Sequence, residues 1–216
     1  MNPLPSSFAD YLDTPLRFRS RIFLALLVVP LLFSLALPLW RISMTAPQYP
    51  KGLWLDIHAG GLDAGNRGHD LTEINTLNHY IGMAHITREE LRDLDWLPFG
   101  LIGLALVTLR CAALGNVRAI IDVSMMAAYI SMVAFGRFIW MLWTFGHNLD
   151  PKAPVRMDPF MPVVFGSKQI ANFMTHSWPR PGSALLFTFT FGVWALTAWL
   201  LWSGRAKARR YALSAA

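Results

Sequence analysis

Four long apolar runs set the layout of the chain: 22–40, 96–114, 119–145 and 183–202. Each has the roughly 20 residues that a helix needs to cross a hydrocarbon core of about 30 Å. No charge interrupts Ile22 to Trp40, and the third run is long enough to tilt in a bilayer or project beyond it. The pattern predicts a mainly α protein, a four-span transmembrane helical bundle with a small mixed cap made from two polar segments, 41–95 and 146–182. An N-terminal segment (1–21) and a basic tail (203–216) flank the bundle, and Gly115-Asn116-Val117-Arg118 is a tight turn between the second and third spans. A cleaved signal peptide is the competing reading of the first run. Asp10 and Asp13 in the leader, and Met44-Thr45-Ala46-Pro47 as the cleavage region, fit that reading poorly.

Within the first polar segment, Leu53–His58 alternates as a strand does, and Gly60-Gly61 supplies a turn after it. A helix is expected next, with Asp70 placed to accept its first free N–H groups, Glu73 to reach back, and Gly82 to end it. Leu71, Ile74, Leu77 and Ile81 form its apolar stripe, while Asn75, His79 and Met83 recur four apart on the opposite face. Thr87 and Glu90 repeat the capping pattern and predict a short amphipathic helix through Asp95, broken at Pro98 where the chain meets the membrane. In the second segment, prolines at 151, 154, 159, 162, 179 and 181 favour an extended path over a helix.

Composition supports membrane residence, since 54% of the 216 residues are hydrophobic and only 15% charged, too apolar a balance for an ordinary soluble domain. The formal net charge of +6 does not point to nucleic acid, because the cations flank the apolar runs. Arg17, Arg19 and Arg21 precede the first run, Arg110 and Arg118 bracket the tight turn, and Arg205, Lys207, Arg209 and Arg210 follow the fourth. With four crossings all of these share one side, which the positive-inside tendency makes the cytoplasm. Both termini are then cytoplasmic, in a bacterial inner membrane, and the two polar segments face the periplasm.

All six histidines (58, 69, 79, 85, 147 and 176) fall in the two outer segments, joined there or at their edges by Met44, Met83, Met157, Met161 and Met174. Imidazole with thioether is a ligand set suited to copper, Cu(I) above all, whereas calcium and magnesium need clustered carboxylates. His79, Met83 and His147 are the candidate metal ligands, with Asn75, Asn78, Asn148, Asp150, His176 and Arg137 in support. His147 stands where the third span ends and could be aimed at 74–83; equally, Asn148 and Asp150 could only build an Asx turn before Pro151. Residues 166–177 either cover the site or bind a partner. Arg137 lies within the third span, placed to snorkel outward or to pair inside the bundle. Cys111 is alone, which excludes an internal disulfide and any multi-cysteine metal site.

The segments Glu73–Met83 (EINTLNHYIGM), His147–Pro154 (HNLDPKAP) and Pro159–Phe173 (PFMPVVFGSKQIANF) resemble those of a group of bacterial inner-membrane proteins associated with respiratory and copper-enzyme accessory genes, including those for nitrous oxide reductase. The resemblance covers the outer segments, implies an accessory role and assigns no ligand. There is no Gly-x-Ser-x-Gly elbow, phosphate-binding Gly-Lys-Ser/Thr loop, His-Glu-x-x-His or Cys-x-x-Cys-His. The sequence therefore points away from an enzyme. It favours copper handling, or assembly of a periplasmic respiratory enzyme, by a protein of the lipid bilayer. The alternative is a non-catalytic subunit of a larger membrane complex that uses the same segments for docking.

Overall fold

A computed structural model describes residues 8–214, with side chains described through Ala206. The described residues contain six α-helices and five strands: α1 (Phe8–Leu12), α2 (Phe18–Phe33), β1 (Trp40–Ala46), β2 (Tyr49–Ile57), β3 (Leu62–Ala64), α3 (His69–Tyr80), α4 (Asp93–Leu114), α5 (Val117–His147), β4 (Gly166–Ile170), β5 (Phe173–Pro179) and α6 (Pro181–Ser214). They divide into two compact units. A helical unit takes residues up to Phe33, Gly100–Ser131 and the chain from Leu185 on; a mixed unit takes Ser34–Phe99 and Met132–Ala184.

Among the described residues, three helices are long and apolar enough to cross a membrane: Asp93–Leu114, Val117–His147 and Pro181–Ala206. They are compatible with membrane insertion. The first expected span differs from its prediction over 22–40, because α2 covers Phe18–Phe33 and Trp40 already belongs to β1. Its 16 residues rise about 24 Å, short of the roughly 30 Å core. The apolar run hides a change of period at its end. After Pro30 and the turn from Ser34, Ile42, Met44 and Ala46 are buried at alternate positions, as in a strand. The helix expected from Thr87 through Asp95 is also absent as a separate element. Thr87 Oγ1 accepts the Glu90 N–H at 3.3 Å within a turn, and α4 begins at Asp93 with Pro98 inside it.

Inside the helical unit, α2 buries Leu24, Leu27, Val28 and Leu31, the i, i+3, i+4, i+7 set of one face, while Leu26, Val29, Leu32 and Phe33 remain exposed. This apolar outer surface is of the kind a bilayer covers. Gly192 of α6 admits Leu27, whose methyl carbon would lie 2.5 Å from any Cβ there. Ser124 and Thr197 join α5 to α6 by a 2.6 Å hydroxyl contact.

The mixed unit is built on an antiparallel sheet of order β3-β2-β1-β5-β4. Strand β1 pairs with β2 (Ile42 opposite Leu55) and with β5 (Ile42 opposite Ser177), so the two polar segments share one sheet. The second segment is extended, as its prolines suggested, but only up to Val164; a β4–β5 hairpin follows, turning at Ala171 and Asn172. Helix α3 lies on the core face of the sheet through the expected stripe. Ile74, Leu77 and Ile81 are buried with Ile42, Met44, Leu53, Leu55 and Phe173, and Leu71 packs at the margin. Each fully buried member stabilises the fold by about 1.5–3 kcal/mol.

The expected capping of α3 does not form. Its N-cap is Gly68, with no side-chain cap bond. Asp70 instead accepts the Trp54 N–H at 3.1 Å, filling the space beside Gly65, and the Glu73 carboxylate accepts the Tyr49 hydroxyl. That bond raises the Tyr49 pKa above its usual value, since losing the proton would break it beside a carboxylate.

Candidate functional site where two polar segments converge

The site starts at the C-terminus of α3, where Gly82 ends the helix as its position predicted. The Met83 N–H reaches the Asn78 carbonyl at 2.9 Å and the Gly82 N–H that of His79 at 3.1 Å, a Schellman pair that requires the left-handed φ of +79° at Gly82. This turn sends Met83–Ile86 back along the helix. Asn75 fixes the returning segment with both ends of its amide, accepting the Ile86 N–H at 2.7 Å and donating to the Ile86 carbonyl at 3.1 Å. His85 is thereby held beside His79, their ring centres 6.1 Å apart and nearly perpendicular.

The second polar segment closes the other wall. Asp150 donates its N–H to the Gly82 carbonyl at 2.8 Å, and Val155 donates to the Tyr80 carbonyl at 3.0 Å, so carbonyls at the end of α3 hold the segment. A Cβ at Gly82 would stand 2.9 Å from the Asp150 carbonyl oxygen. Asp150 also forms the expected Asx turn, its Oδ1 accepting the Lys152 N–H at 2.8 Å. Between the walls lies a groove of about 440 Å³, lined by His79, Met83, His85, Asn148 and Asp150 together with Gly82, Ala84 and Leu149.

No protein-family model, curated protein or solved structure matches the chain.

Of the three candidate ligands, the groove gathers His79 and Met83 but not His147. The His147 ring stacks on Trp143 at 4.4 Å, and its Nδ1 lies 2.9 Å from the Trp143 carbonyl, which makes that nitrogen the donor. Trp143 stacks in turn on Trp140, so His147 ends an aromatic ladder along α5. Its place in the groove is taken by His85, a residue that helical spacing from His79 could not select. The signal was Gly82, since a Schellman turn folds the next few residues back on the helix.

The supporting residues are dispersed. Asn148 and Asp150 line the groove, whereas Asn75 is committed to Ile86. Asn78 faces the core, fully buried, with neither side-chain atom hydrogen-bonded. His176 meets Ser167 Oγ at 2.6 Å across the β4–β5 pair. Arg137 donates to both oxygens of Asp93 at 3.0 and 3.1 Å, an exposed pair and not one buried inside the bundle. Among the described residues no three His, Cys, Asp or Glu side chains form a group able to hold a metal ion. What the groove offers is two imidazoles and a thioether, a donor set for a soft monovalent ion that accepts low coordination.

Asn75→Ala removes the clasp that holds His85 beside His79 and leaves the half-buried Ile86 backbone without its two partners. The expected loss is about 1–3 kcal/mol, read as a lower denaturation midpoint of the detergent-solubilised protein. His85 should gain mobility with it, visible as line narrowing of its imidazole NMR signals.

Proposed function

We propose that the protein is a non-catalytic accessory protein of the bacterial inner membrane that binds copper between His79, Met83 and His85, serving copper handling or the assembly of a periplasmic respiratory metalloenzyme. One observation carries the reading: His79, Met83 and His85 line one open groove whose walls come from both polar segments, with the two imidazoles side by side. Rings whose centres are 6.1 Å apart can, after rotation, each set a nitrogen about 2 Å from a shared ion. An exposed site with few ligands suits transfer of an ion better than its permanent retention.

The proposed topology has four crossings, with both termini cytoplasmic and the two polar segments periplasmic. Support for α2 as the fourth crossing comes from its partners at both ends. Near its start, Leu16 bonds to Gly115 in the α4–α5 turn; beyond its end, Pro38 and Leu39 accept bonds from Gly182 and Ser183 at the start of α6. The six residues that follow α2, 34–39, carry no charge.

A docking subunit of a larger membrane complex is the second reading, favoured by Phe165 and Trp178, exposed aromatics in edge contact at 4.6 Å. Metal analysis of the purified full chain after anaerobic loading with Cu(I) separates the two. One copper ion per chain is the expected result. No copper above background, together with a stoichiometric membrane protein that co-purifies, would establish docking instead.

A further inference from the structure

The described charges of the helical unit are segregated. Its only charged side chains through Ala206 are six arginines (17, 19, 21, 110, 118 and 205) and three aspartates (10, 13 and 122), a surplus of three cations. Contacts within the unit bring these elements to one end. Leu16 donates to the Gly115 carbonyl and Val117 to the Thr14 carbonyl, both at 3.1 Å, which ties the segment before α2 to the α4–α5 turn. The Tyr11 hydroxyl donates to the Leu200 carbonyl at 3.0 Å, and the Arg205 guanidinium sits 5.6 Å from the centre of the Phe8 ring, tying α1 to α6.

The cations at this end are incompletely satisfied by protein. Asp13 is used by Arg118 at 3.0 and 3.2 Å. Arg17, Arg19 and Arg110 are exposed and have no carboxylate partner among the described residues. Arg21 is half-buried, and its buried Nε meets no acceptor. Phe18 projects between Arg17 and Arg19 with 76% of its surface exposed. An aromatic ring flanked by guanidinium groups at the start of an apolar helix matches a headgroup boundary, where the ring enters the acyl region and the arginines meet phosphate.

We propose that this end of the helical unit, through Arg17, Arg19, Arg21 and Arg110, binds the headgroups of anionic phospholipids. Guanidinium pairs with phosphate through two parallel N–H···O bonds, so several arginines on different elements can hold lipids at the seams between helices. The inference needs α4, α5 and α6 to lie in a membrane and does not depend on the copper reading.

Native mass spectrometry of the full chain released from neutral detergent tests it, with phosphatidylglycerol and phosphatidylcholine offered at equal concentration. Wild type is expected to retain phosphatidylglycerol in preference. R17Q/R19Q/R110Q should lose about 100-fold of that affinity, at about fivefold per arginine. K51Q/K152Q/R156Q removes the same charge from the mixed unit and should bind as wild type does. Equal retention of the two lipids by wild type would overturn the proposal, as would undiminished binding by the first variant or an equal loss in the second. Displacement of phosphatidylglycerol by millimolar inorganic phosphate would also overturn it, in favour of a soluble-anion site. If the triple variant does not purify as a folded protein, R17Q and R110Q singly decide the matter, each with the fivefold loss or without it.

Discussion

Replacing His79 and His85 together by alanine is expected to lower Cu(I) affinity by at least about 100-fold, since loss of groups that merely orient metal ligands already costs 10–100-fold. Both side chains are exposed on the rim of the groove, so the variant should keep its fold and its membrane insertion. Competition with a Cu(I) chelator of known affinity gives the measurement. His147→Ala, made in parallel, should leave the affinity unchanged, because that ring is engaged with Trp143 outside the groove. A large loss from His147→Ala and none from the double variant would return the site to the trio expected from sequence.

The second large effect concerns stability. Arg41 in β1 faces Asp56 in β2 across the register and donates to both of its oxygens at 2.6 Å. Only 6% of the Asp56 side chain is exposed, and the Arg41 guanidinium also lies 4.3 Å from the centre of the Trp54 ring. The bond to Asp56 holds the Arg41 pKa above its ordinary value, against the opposing effect of burial. Arg41→Ala would leave a carboxylate buried without its cation, a loss of about 3–5 kcal/mol. That is a large share of the 5–15 kcal/mol typical of a folded protein. A fall of less than about 1 kcal/mol would mean that water reaches Asp56 freely. The paired variant R41M/D56L should recover most of the loss, since it removes the stranded charge as well as the bridge.

The legible parts of the fold were those whose period the residues state openly. Leu71, Ile74, Leu77 and Ile81 announced a helix face, Gly82 its end, and Leu53–His58 a strand, which in the structure starts earlier, at Tyr49, and stops at Ile57. Strand β1 was concealed because Trp40 continues an apolar run, so length counted toward a span where period should have ended it. Strand β5 was concealed for the opposite reason. Its buried positions include Thr175 and Ser177, and a strand that turns hydroxyls inward shows no hydrophobic alternation. In the candidate site, helical spacing grouped Asn75, His79 and Met83, but Met83 lies beyond the helix and Asn75 is spent on the Ile86 backbone. Backbone reversal, not spacing on a helix, put the second imidazole beside the first. Likewise, hydrogen bonds from Asp150 and Val155 to the end of α3 joined segments about 70 residues apart, and main-chain bonds leave no mark in composition.

Copper X-ray absorption on the Cu(I)-loaded full chain tests the central claim most directly, because it counts the donor atoms around the ion. Two imidazole nitrogens near about 2.0 Å and one sulfur near about 2.3 Å are expected, by analogy with the distances imidazole and thiolate adopt on zinc. In Met83→Leu the sulfur shell should vanish while the nitrogen shell remains. A spectrum without sulfur in the wild type, a sulfur shell that persists in Met83→Leu, or a chain that retains no copper would contradict the groove as a metal site.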